Sequence, residues 1–158
     1  MHPEDALLLE KRTQDLPIFL KEESECLLEI FINIGVPDPH FAIQRTWSVI
    51  EPFANWLSQQ KIDVSTRGRV LARTAFFIGT YLTQKHSCAW VVMKDEDSES
   101  FGRYVVITSA SRGGKSMIAD VFQVAKDVIT SEFPSRSFME SVAVLDEQMA
   151  AFADPNKN

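Results

Sequence analysis

The chain lacks long apolar runs, paired cysteines and any excess of positive charge, and each absence removes a class of protein. No stretch approaches the ~20 apolar residues that a membrane-spanning helix needs, so no membrane partner is expected. The two cysteines, Cys26 and Cys88, lie far apart and form no C-x-x-C pair. That argues against a disulfide framework and for free thiols in a reducing compartment. The formal charge is -6, which repels DNA, RNA and anionic lipid unless positive charge is concentrated locally. Nucleic acid is therefore not an expected partner. The opening "MHPEDALLLEKR" carries Glu4 and Asp5 where a secretion signal would be basic, and its apolar run, Ala6 to Leu9, is too short. The expected location is the cytoplasm.

A length of 158 residues, 45% of them hydrophobic, suffices for a core built without metals or disulfides. "PEDALLLEKRTQDL" reads as a short first helix, with Pro17 opening a second one that carries Leu20, Leu27, Phe31 and Ile34. Gly35 followed by Val36-Pro37 is a stop, and Asp38 before Pro39 is an N-cap. Ile43 to Leu57 carries apolar residues at helical spacing, but Pro52 predicts a kink or two short pieces. Ser65 or Thr66 caps a fourth helix to about Gln84, with a stripe of Val70, Leu71, Thr74, Phe77, Ile78 and Tyr81. Gly79 inside it costs about 1 kcal/mol against alanine and points to close packing of another element. The runs "AWVVMK" and "RYVVIT" then read as two strands of a hairpin, joined by the acidic "DEDSESFG". Ser116 to Glu132 returns to helical spacing, and Ser137 with Glu140 forms an S-x-x-E capping box for a last helix. Trp47, Trp56 and Trp90 are expected in the core. The predicted fold is α+β: one mostly helical domain over residues 1–153, order α-α-α-α-β-β-α-α, with one antiparallel hairpin and a frayed tail at 154–158.

The stretch "VVITSASRGGKSMIADVF" raises the question of a phosphate loop. Gly114, Lys115 and Ser116 match the end of G-x-x-x-x-G-K-[ST], but Ser109 stands where the first glycine belongs. No parallel sheet is predicted to support such a loop, so nucleotide hydrolysis is not expected. A simple anion site built from Arg112, Gly113, Gly114, Lys115 and Ser116 at a helix start stays as an alternative.

Other clusters carry less. His86-Ser87-Cys88 offers two metal-type ligands where structural zinc wants four, and no acidic or amide partner for a His86–Cys88 catalytic pair is identifiable from the sequence. Arg67, Arg69 and Arg73 are read as ion-pair partners of the acidic second helix, or else as a binding face. Asp95, Glu96, Asp97 and Glu99 at the hairpin tip form the candidate docking surface, because clustered charge steers association.

Gly79-Thr80-Tyr81-Leu82, followed by Trp90 opening a strand, resembles a group of small bacterial domains in which a helix ending G-x-Y-[LF]-G-E precedes a Trp-led strand. The resemblance covers roughly Arg69 to Ile129, and Thr83 and Gln84 depart from its Gly and Glu. It implies an α+β fold and an accessory or immunity-type role, with no catalytic residue. The expected function is thus a non-catalytic protein-binding module, of immunity or inhibitor type, that occludes a basic partner. It needs no cofactor or metal. The alternatives are the anion binder at the Gly-Gly-Lys-Ser turn and a self-associating helical protein.

Overall fold

The computed structural model describes residues 1–109, 113–154 and 156. The fold is α+β and mostly helical. The helices are α1 (Pro3–Asn33), α2 (Pro39–Ala42), α3 (Ile50–Ser58), α4 (Arg67–Lys85), α5 (Val121–Thr130) and α6 (Pro134–Ala153), with a 3-10 turn at Thr46–Ser48. The strands are β1 (Cys88–Val92), β2 (Tyr104–Thr108) and β3 (Ile118–Ala119), antiparallel in the order β1-β2-β3.

Four expectations are corrected. The first two predicted helices are one helix of 31 residues, with Pro17 in its interior. Proline removes one main-chain hydrogen bond there, but the turns on both sides are buried against the rest of the fold. Leu9 packs with Val92 and Tyr104, and Leu27, Ile30 and Phe31 pack with α4. Tertiary burial outweighs the local cost. Second, residues 116–119 are not helical: Met117 and the two residues of β3 pair back onto β2, and Asp120 caps α5 by accepting from the Gln123 N–H at 3.0 Å. Third, the Ser137–Glu140 box does not form, because Pro134 has already opened α6, and Glu140 pairs instead with Arg136 at 2.9 Å. Fourth, Trp47 is 43% exposed, while Trp56 and Trp90 are half-buried against the core.

Two other signals read as expected. Gly35 adopts φ +75°, the Val36 N–H reaches the Phe31 carbonyl and the Gly35 N–H reaches that of Ile32, closing α1. Asp38 accepts from the Phe41 N–H at the start of α2. The expected segment breaks ahead of Pro52 and not at it: a 3-10 turn at Thr46–Ser48 precedes α3, which opens at Ile50 and carries Pro52 in its first turn, where the missing N–H has no helical partner to lose. One further expectation fails ahead of α4: the Thr66 side chain makes no capping bond to the helix, and Asp63 instead accepts from the Ser65 hydroxyl and from the main-chain N–H groups of Ser65 and Thr66, which together hold its carboxyl below the usual range.

α4 is the central element. It buries not a stripe but most of its circumference, from Val70 through Leu82. Phe77 stacks on Phe53 of α3 at 4.4 Å, and Phe138 of α6 meets both rings. On another side, Gly79 faces the sheet. A β-carbon built on Gly79 would overlap the six-membered ring of Trp90, so the indole lies directly on the helix backbone. Trp90 also stacks on Phe76 and meets Phe19 of α1 edge-on. The close approach expected of Gly79 is therefore real, and it seats the hairpin on α4.

Candidate functional site

The hairpin tip, residues 93–103, is built outward from that seat. The β1–β2 ladder runs from Cys88↔Thr108 to Val92↔Tyr104 and continues through Met93 and Arg103, whose N–H and C=O join at 2.9 Å. Gly102, at φ +74°, returns its N–H to the Met93 carbonyl. Beyond it the loop is internally bonded. The Asp95 carbonyl accepts from the Ser98 N–H and its carboxylate from the Asp97 N–H, while Ser98 accepts from Phe101 and Ser100. The Ser100 hydroxyl donates to Asp120 at 2.7 Å, and Arg103 donates to the same carboxylate oxygen at 2.8 Å. One carboxylate thus caps α5 and moors the loop.

Asp95, Glu96, Asp97 and Glu99 all project to solvent from this moored loop. Among the described residues, no lysine or arginine side chain forms an ion pair with any of them, and the contact of Glu96 is the Met1 nitrogen at 3.6 Å. The first turns of α1 lie alongside: Leu8 abuts Gly102, and Met1, Leu7 and Leu8 are exposed. The sequence pointed to the four carboxylates. It did not place Leu8 beside them, because that neighbourhood depends on how α1 crosses the sheet.

The second expected site lacks the helix start on which it was predicated. Arg112 lies outside the described residues. Gly113 and Gly114 adopt φ +56° and +75° in an open turn, and Lys115 and Ser116 follow in the connector to β3. The helix start that was to supply N–H groups to an anion is four residues further on, and Asp120 already caps it.

A cluster absent from the sequence reading joins the foot of the hairpin to α6. Asp146 accepts from Tyr81 at 3.0 Å, lies 2.7 Å from His86 Nε2, and receives Lys85 Nζ at 3.3 Å on its other oxygen. Burial alone would raise its carboxyl, but these three donors outweigh that and hold it below the ordinary range. Burial likewise pushes the Tyr81 hydroxyl up, and the Tyr81 contact raises Lys85. Asp146 is thus the partner for His86 that the sequence did not reveal. Its carboxylate fixes one imidazole nitrogen, as in proton-transfer dyads, yet its contacts tie the C-terminal end of α4 and the connector after it to α6. Cys88 nearby donates to the Met149 sulfur at 3.8 Å, and burial raises its thiol, so it is a poor nucleophile.

Arg73 lies 3.9 Å from Glu23 and donates to Cys26 at 3.0 Å, so the internal-pairing reading holds for it. Burial raises the Glu23 carboxyl, with Arg73 opposing, and its Oε2 has no hydrogen-bond partner among the described residues. Arg69 lines a cleft of about 200 Å³ with Cys26, Glu29, Asn33 and Trp56. Gln84, where the resembled group carries glutamate, is consumed internally: its carbonyl oxygen accepts from the N–H and hydroxyl of Thr46, and its amide donates to the Ile43 carbonyl.

Among the described residues, no group of three or more His, Cys, Asp or Glu is placed to hold a metal ion, and no helix is long and apolar enough to cross a membrane. Comparison of the chain with protein-family models, with curated proteins and with solved structures finds no match.

Proposed function

We propose that this is a non-catalytic cytoplasmic binding module, of immunity or inhibitor type, whose hairpin tip docks onto a basic protein and occludes it. One observation carries the reading. Four carboxylates are held outward on an internally bonded loop, with no lysine or arginine side chain among the described residues paired to them and with Met1 and Leu8 at their edge. Apolar side chains supply the contact that excludes water, and the surrounding charge sets on-rate and selectivity. A loop already ordered loses little entropy on binding.

The test is capture from extract of the source organism at low salt, with tagged protein and with a variant carrying Asp95, Glu96, Asp97 and Glu99 all changed to serine. A stoichiometric protein retained by the first bait, lost with the second and released by about 0.5 M salt, supports the reading. A partner retained equally by both baits removes the tip from the interface.

A further inference from the structure

α1 presents a stripe to solvent that no other part of the described fold covers. Leu7, Ile18 and Ile32 are 66%, 56% and 53% exposed. Eleven and fourteen residues separate them, about three and four turns, so they share one face of the helix. Lys11 and Glu25 lie on the same face, each seven residues, or about two turns, from Ile18. Both are exposed, and neither forms an ion pair among the described residues.

We propose that this stripe is the interface of an antiparallel homodimer whose two-fold axis passes beside Ile18. That axis sets Ile18 against Ile18 of the second copy and Lys11 against its Glu25, twice over, and brings Leu7 within about a turn of its Ile32. A parallel pairing would instead oppose Lys11 to Lys11 and Glu25 to Glu25, so charge selects the antiparallel register.

A second relation, independent of the stripe, points the same way. Leu8 and Cys26 are eighteen residues apart, five whole turns, and so lie on one flank of α1. The acidic tip stands on that flank at Leu8, and Arg73 and Arg69 stand on it at Cys26 and Glu29. A two-fold axis perpendicular to the paired helices keeps flanks on the same side and reverses the ends. The tip of one copy therefore lies level with the arginines of the other. The helix is about 46 Å long, and one such stripe sits at the small end of specific interfaces, so the dimer is weak, with a dissociation constant of roughly 10–100 µM.

The inference goes beyond the docking role of the tip, and the two fail separately. Sedimentation equilibrium of the full chain is followed from about 1 to 500 µM, a range that brackets the expected constant. The mass should rise toward twice that of one chain. Ile18→Glu, an exposed site that leaves the helix intact by circular dichroism, should weaken association at least tenfold. Lys11→Glu should weaken it, and adding Glu25→Lys should restore it. In a Cys26→Ser/Cys88→Ala background, mixed Lys11→Cys and Glu25→Cys chains should cross-link to each other, and neither to itself. A one-chain mass at every concentration, an unchanged dimer with Ile18→Glu, or self-cross-linking of either single variant overturns the proposal. Capture of a basic protein by the tip is read separately, by the four-serine bait.

Discussion

The root and the tip of the β1–β2 hairpin are about five residues apart along each strand, yet opposite forces hold them. At the root, Trp90 lies on Gly79 between Phe19 and Phe76, and Asp146 gathers Tyr81, Lys85 and His86. At the tip, four carboxylates face water, and the loop keeps its shape through its own main-chain bonds and Asp120. The contrast teaches where stability and recognition reside. The root is committed to the interior, and its polar groups are satisfied. The tip contributes little to the fold and is free to contact another molecule.

Substitutions at the two ends should separate accordingly. Gly79→Ala drives a methyl into an indole held between Phe19 and Phe76, and should cost about 3 kcal/mol or more, read as loss of cooperative unfolding or a sharply lowered midpoint in urea. Asp146→Asn leaves shape but removes the charge that three donors address, and should cost about 1 kcal/mol by the same measurement, discounted for partial exposure. Because the Asp146 carboxyl is held below its ordinary value, its contribution is present above about pH 4 and fades as the pH falls through its native value. The gap between wild type and variant should therefore close in acid. A third change, the four-serine tip, should shift stability by no more than about 0.5 kcal/mol while abolishing partner capture. A large loss of stability there would break the division between the two ends.

Glu23 sharpens the same comparison from the other side. Like Asp146 it faces α4, but one of its oxygens has no hydrogen-bond partner among the described residues and burial raises its carboxyl. Its protonated form suits the fold, so stability falls as the pH rises from the ordinary glutamate range through the raised native value. Glu23→Gln should lift the thermal midpoint by about 1 °C at pH 7 and change nothing near pH 4. The number of donors around a carboxylate, more than its burial, decides the sign.

How legible these regions were follows from the range of the interactions. Gly35 and Asp38 act within a few residues, and their effects were readable. Gly79 was readable as a request for close packing, though not for Trp90 in particular. Pro17 misled because its cost is local while the packing that overrides it comes from Leu9 and Phe31, one on each side. β3 is two residues long, too short to show an alternating pattern, and exists through Val106 and Ile107 on another strand. The Asp146 cluster joins positions about sixty residues apart, and nothing near Asp146 or His86 announces the other. The acidic tip was visible as composition, but its moorings at Asp120 and Leu8 were not.

The seating of Trp90 gives the molecule an optical gauge. With Trp47 and Trp56 changed to phenylalanine, all emission would come from a single indole wedged between α1 and α4. Its wavelength and quenching would then report, in real time and without a label, whether the hairpin sits on the helical body, lifts from it, or is pulled when something grips the far end.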